Sequence, residues 1–185
     1  NPKAARGNIQ QGAADYFALT YLLENVDIPA GASPTGEAIR FDTSNLYYFG
    51  HSQGAQVGAP FAAFEPNLAA MIFSGAGGSL SLSLTNKTSP VDIAGAVGFV
   101  LTGRPDGSVT ELDPLLSLLQ WYVDPVDSLS YARAYFRDLA EEEAPKDVFM
   151  SFGFDDTYSP EANQRAIGGA MGLRLGAGRE VSGFT

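Results

Sequence analysis

The first chemical signal is a run of five residues, Gly50-His51-Ser52-Gln53-Gly54. The pattern Gly-x-Ser-x-Gly suits a serine carried on a sharp strand-to-helix turn, because small residues two positions either side let neighbouring backbone pass close to the bend. Gly50 and Gly54 are expected to supply that room. In such a turn Ser52 adopts a strained backbone conformation that lifts its Oγ, and the backbone N–H of Gln53, opening the helix, points to where an oxyanion would form. A raised hydroxyl beside an N–H donor is the chemistry of acyl transfer. The competing interpretation is a glycine-flanked turn with an incidental serine, and the flanking elements favour the first.

Those elements follow from local pattern. Leu46-Tyr47-Tyr48-Phe49 is a run of strand formers without alternation, which predicts a strand covered on both faces. From Gln53 a small-residue helix begins, with a kink expected near Pro60. Leu68 to Phe73 and Val148 to Phe152 are two further strands. Upstream, Asn8 with Gln11 forms a capping-box pattern that opens a helix to about Val26, placing Ala13, Phe17 and Tyr21 on one face. Asp27 to Thr43, with Pro29, Gly31, Pro34 and Gly36, is a connecting loop. After the second strand, Ser89-Pro90 opens a helix that Gly103 closes, Asp113-Pro114 opens another through about Tyr122, and Asp127 to Leu139 adds one more. Glu141-Glu142-Glu143 is a solvated turn. Pro160 starts a last helix that Gly172 caps. Strands alternating with helices predict an α/β domain across residues 1–185, a parallel sheet flanked by helices, with 79–140 inserted as a helical cap.

In this setting Gly50 to Gly54 resembles the nucleophile elbow of the α/β-hydrolase fold, the superfamily of esterases, lipases, peptidases and related serine hydrolases. The resemblance implies an acid on the loop after a later strand. Gly153-Phe154-Asp155-Asp156-Thr157-Tyr158-Ser159-Pro160 follows the third strand, and Asp156 falls where the family's Gly-x-x-Asp-x-x-x-Pro pattern puts it. Asp155 is the alternative if the register differs by one, and a plain turn-capping role is the competing interpretation of both. The family's base is a histidine that follows the acid in the chain. The only histidine is His51, whose side chain leaves a tight turn away from that of Ser52, so it is expected to serve the elbow by packing or hydrogen bonding. The stretch 173–185 contains no histidine, and nothing before Asn8 suits the family's first oxyanion loop. The sequence therefore reads as a partial α/β-hydrolase domain, with the base expected beyond residue 185, and this chain alone is expected to be inactive and to expose apolar sheet edges. The resemblance implies cleavage of a small-molecule or lipid-like carboxylic ester through an acyl-enzyme. The alternative is a non-catalytic, hydrolase-like binding protein.

Composition narrows the field. Eleven basic residues against 21 acidic give a net charge of −10, which repels nucleic-acid phosphates. With no Cys and one His, thiolate nucleophiles and Cys- or His-rich metal sites are excluded; carboxylate sites for calcium or magnesium stay open, though no Asp-rich loop of EF-hand spacing appears, and the hydrolase resemblance implies no metal or cofactor. The longest apolar run, Ile93 to Leu101, is far short of the ~20 residues of a membrane helix. With 45% hydrophobic and 17% charged residues the chain has material for a core. Gly75-Ala76-Gly77-Gly78 lacks the Lys-Ser or Lys-Thr of a phosphate loop and reads as a glycine-rich exit from a strand, placed to line a pocket floor. Asn86-Lys87-Thr88 matches the glycosylation sequon. Leu115, Leu116, Leu118, Leu119, Trp121 and Tyr122 make an apolar helix that is either core or the wall of an acyl site.

Overall fold

Asn1 sets the first helix. Its side chain accepts from the N–H groups of Lys3 and Ala4, and Pro2 supplies the preset φ of a first helical residue, so α1 runs over Pro2–Asn25 and passes straight through Asn8. The capping box read at Asn8 and Gln11 is thus interior helix, and Gln11 bonds instead to Asp15 one turn on. The computed structural model describes residues 1–103, 109–139, 144–174 and 176.

The loop expected over Asp27 to Thr43 contains a small antiparallel pair, β1 (Asp27–Ile28) and β2 (Ile39–Arg40), joined across by the Arg40–Asp27 ion pair. Then come β3 (Leu46–His51), α2 (Gln53–Phe64) and β4 (Leu68–Ser74), and after the insertion β5 (Asp147–Ser151). These three strands form a parallel sheet in the order β3-β4-β5. The protein is mixed α/β, a three-stranded parallel sheet flanked by helices. Helix α2 continues unbroken through Pro60, which is buried within it.

The insertion is helical where Asp-Pro and Gly signals are strong. Helix α3 (Leu80–Asn86), capped by Ser79, has no counterpart in the sequence reading. Helix α4 (Ile93–Thr102) opens three residues after the expected Pro90, because Asp92 caps it by accepting from Gly95 N–H; Gly103 closes it in the left-handed region at φ 66°. Helix α5 (Pro114–Val123) is capped by Asp113 as its sequence predicts. The helix expected over Asp127 to Leu139 is replaced by a short 3-10 turn, Ser128–Tyr131, and further turns. Asp127 caps this turn by accepting from Leu129 N–H, and by accepting also from Ser79 and Leu80 N–H its carboxylate ties the segment to the start of α3. Glu141 to Glu143 lie outside the described residues. Helix α6 (Glu161–Met171) follows Pro160 and ends at Gly172, φ 73°.

One core joins these parts. Met71 and Phe73 of β4, Phe61 and Ala62 of α2, Tyr135, and Ile167 and Met171 of α6 are all buried together, with Tyr48 and Met150 packed against them. Tyr16 and Phe17 bring α1 onto Phe61 at ring separations of 5.5 and 5.1 Å. The opposite face of the sheet departs from expectation. Tyr47, Phe49, Ile72 and Phe149 point outward at 75, 66, 42 and 63% exposure, and Phe49, Ile72 and Phe149 align as one row across the strands. Unalternating strands signal cover on both sides. Among the described residues, helices cover one.

Candidate active site

The site is built at the carboxyl end of the sheet, where His51, Ser74 and Ser151 lie side by side at the tips of β3, β4 and β5. Ser52 comes next in the chain and is the hinge between β3 and α2, with φ 52° and ψ −118°. A side-chain-bearing residue in that region costs about 1–3 kcal/mol, which the surroundings must impose. They do so through backbone bonds: Ser52 N–H donates to Ser74 O at 2.8 Å, and Ser52 O receives Ala55 N–H at 3.0 Å. The Ser52 side chain is exposed and does not cap the helix it precedes, so its hydroxyl is not committed to the helix terminus. Gln53 is the first helical residue, where N–H groups lack intrahelical acceptors.

The two glycines differ. A Cβ on Gly50 would lie 2.9 Å from Ala55 Cα, so the close approach of strand to helix requires glycine there. A Cβ on Gly54 would meet only Tyr48 Oη, at 4.0 Å. The expectation that Gly54 supplies room is therefore corrected: within this chain nothing crowds it. Tyr48 underpins the elbow by donating its hydroxyl to Gly54 O at 2.7 Å, and burial, reinforced by the neighbouring Tyr16, pushes its phenol pKa up.

His51 is held sideways. Its Nδ1 lies 3.2 Å from Ser74 Oγ on the neighbouring strand, and the side chain is exposed. This is a hydrogen-bonding position on the elbow.

Asp156 sits five residues past the end of β5, half-buried, at the same carboxyl end of the sheet as Ser52. Its Oδ1 accepts from Tyr158 N–H at 2.8 Å and Ser159 N–H at 2.9 Å, so it does organise a turn while its second oxygen is not used in that turn. Ser159 in turn donates to Gly75 O at 2.6 Å, and the position a Gly75 Cβ would occupy is 3.9 Å from Ser52 N. The elbow and the Asp156 loop thus meet across the exit of β4. With β4 between them, the tips of β3 and β5 are roughly 10 Å apart, two strand spacings. Asp155 is exposed, in the left-handed region at φ 56°, and makes the bend rather than facing inward.

Two residues missed in the sequence hold these loops in place. Gln164 is 1% exposed and clamps the Asp156 loop through three bonds: it accepts from Gly153 N–H at 2.9 Å and donates to Gly153 O at 3.0 Å and Ser159 O at 2.7 Å. Asn163, equally buried, donates to Gly78 O, Ser79 O and Ser83 Oγ at the exit of β4. A usable signal existed, since 163 and 164 share a helical face with the apolar Ile167 and Met171. Polar residues on an apolar stripe are there to satisfy buried backbone.

Comparison with protein-family models, curated proteins and solved structures found no match. Among the described residues no cluster of His, Asp and Glu could hold a metal ion, and no helix is long and apolar enough to cross a membrane.

Proposed function

We propose that this chain carries the nucleophile and acid of a serine hydrolase acting on carboxylic esters, on a partial α/β-hydrolase fold. The observation that carries the proposal is the positive φ of Ser52, a strained serine at a strand-to-helix junction whose hydroxyl leaves the helix uncapped. Strain of this kind persists only where surrounding structure enforces it and gathers at reactive sites. Ser52 Oγ attacks the ester carbonyl, the alcohol leaves with a proton, and water releases the acid from the acyl-enzyme. Gln53 N–H, at the positive end of α2, stabilises the oxyanion. Asp156 orients an imidazole supplied from outside this chain, because His51 is engaged with Ser74. The residues 79–140 then act as a cap beside the nucleophile.

In the native polypeptide that carries this chain, a fluorophosphonate probe should modify Ser52, as mapped by mass spectrometry, and Ser52→Ala should abolish the adduct. Labelling that persists elsewhere in that variant would overturn the assignment. The isolated chain should turn over activated esters slowly, since loss of the base costs several powers of ten in rate.

The engagement of His51 also favours a second possibility, a hydrolase-like protein that binds a ligand without catalysis. A native polypeptide that resists fluorophosphonate yet binds its ligand unchanged in Ser52→Ala supports that alternative.

A further inference from the structure

A cavity of about 560 Å³ opens between the start of α1, helices α3 to α5 and the glycine-rich exit of β4. Its size falls within the roughly 300–1,000 Å³ typical of small-molecule sites. Most of the wall is apolar: Ile9 from α1, Leu80 and Leu84 from α3, Val100 from α4, Leu119 and Val123 from α5. Ser52, Gln53 and Asp156 are not part of it, so what the cavity binds is independent of the chemistry proposed for Ser52.

Two ionised side chains reach the wall, Asp127 and Arg6, and they differ in what they have left to offer. A carboxylate has about four acceptor sites. Asp127 has filled its own, with Ser79 and Leu129 N–H on one oxygen and Leu80 N–H and the Gln120 amide on the other. It keeps no lone pair for a cationic ligand. Arg6 is the reverse. Its guanidinium carries several N–H donors. One, on Nη1, goes to Tyr122 O at 3.0 Å, and the group lies over the Tyr122 ring, 4.9 Å from the centroid. Among the described residues no carboxylate pairs with it. The carbonyl and the ring hold the cation in place, and a fixed guanidinium with donors to spare is suited to an acid group.

Gln56 adds a second polar group. It lines the cavity from α2, and its side chain makes no hydrogen bond to the protein among the described residues. Helices α1 and α2 approach so closely that a Cβ on Gly12 would lie 2.6 Å from Val57 Cγ1, so Arg6 and Gln56 come from adjoining helices. The remaining wall sorts the ligands. A sugar or peptide would bury polar groups against leucine and valine without partners, and a plain hydrocarbon would strip water from Arg6 and return nothing. An anion with an apolar body meets both demands.

We infer that this cavity binds a compact organic anion, its acid group on Arg6 and Gln56 and its apolar body among α3, α4 and α5.

Calorimetric titration of the chain with 1-naphthoate and 1-naphthamide tests it, since the two share a ring system and differ in charge. Naphthoate should bind about tenfold more tightly, the fold-change of one charge-assisted hydrogen bond. Arg6→Met keeps an apolar stem and removes the charge; it should bring naphthoate down to the affinity of naphthamide and leave naphthamide where it was. Ala96→Trp pushes an indole into the cavity from an exposed position on α4 and should weaken both ligands by about tenfold. Melting temperatures serve as the folding control. Should Arg6→Met unfold for want of its bond to Tyr122, Gln56→Leu, which breaks no such bond, should weaken naphthoate by about threefold at an unchanged melting temperature. Equal affinity for the two ligands overturns the inference, as does a naphthoate preference that survives Arg6→Met. Binding that survives Ala96→Trp also overturns it and puts the ring on the exposed sheet row. Absence of naphthoate binding overturns it outright.

Discussion

Replacing Gln164 by leucine removes the clamp on the Asp156 loop while keeping the side chain's approximate bulk in the core. Three hydrogen bonds disappear, to Gly153 N–H, Gly153 O and Ser159 O. Gly153 and Ser159 are only half-buried, so water can reach part of what is uncovered, and the ordinary net value of about 1 kcal/mol per bond applies in place of the full penalty for stranded groups. The expected loss is ~3 kcal/mol, which at about 2–4 °C per kcal/mol for a chain of this length lowers the melting temperature by ~6–12 °C. Circular dichroism melts measure the stability, and hydrogen exchange at residues 153–159 reports where it is lost; protection there should fall more than in β3. Gln164→Glu gives a second handle. A carboxylate facing two carbonyls is disfavoured, so its folded pKa is raised, and its stability is greatest below the normal glutamate range and falls as pH rises through the folded value. The variant should therefore regain part of its lost stability as pH falls towards ~4. A Gln164→Leu protein that melts with the parent, with unchanged exchange at 153–159, would refute the clamp.

Other consequences are as direct. Ser52→Gly should be more stable than Ser52→Ala by about 1 kcal/mol in denaturant titrations, because only the alanine keeps a Cβ at φ 52°; equal stabilities would remove the strain. Gly50→Ala should cost about 1–3 kcal/mol by forcing Ala55 backbone away, whereas Gly54→Ala should gain ~0.5–1 kcal/mol as an uncrowded helical site. The same ranking by urea midpoints, reversed, would contradict the elbow packing. Burial pushes the phenol pKa values of Tyr48 and Tyr135 up, so the stability they hold below the unfolded value of ~10 is lost as pH rises beyond it. Tyr48→Phe, which gives up the bond to Gly54 O, should be about 1 kcal/mol weaker at neutral pH yet lose less stability between pH ~10 and ~12.

The parts of the fold that sequence made legible are those written in adjacent residues. A strand run into Gly50 and Ser52 announces the turn because the strain and the close approach are local, and Asp113-Pro114 and Gly103 mark helix ends through their own backbone chemistry. The same holds for Val148 to Phe152 leading to Asp156. Elsewhere distant partners decided. Asp127 fastens its segment to residues nearly fifty positions away, and Asn1 starts α1 so well that Asn8 has no role as a cap. The uncovered sheet row was illegible for a different reason: apolar strands show that a face is greasy, and they carry no record of which helices reach it. Gln164 looks like any surface amide until the loop it holds is folded against it.

Asn163 and Gln164 are neighbours on one turn of α6, yet they grip different things, the first the glycine-rich wall of the cavity and the second the loop bearing Asp156. Two amides on a single rigid rod make the helix a crossbar. Anything that spreads the cavity wall must turn that rod or break its bonds, and the carboxylate on the far side feels the same torque.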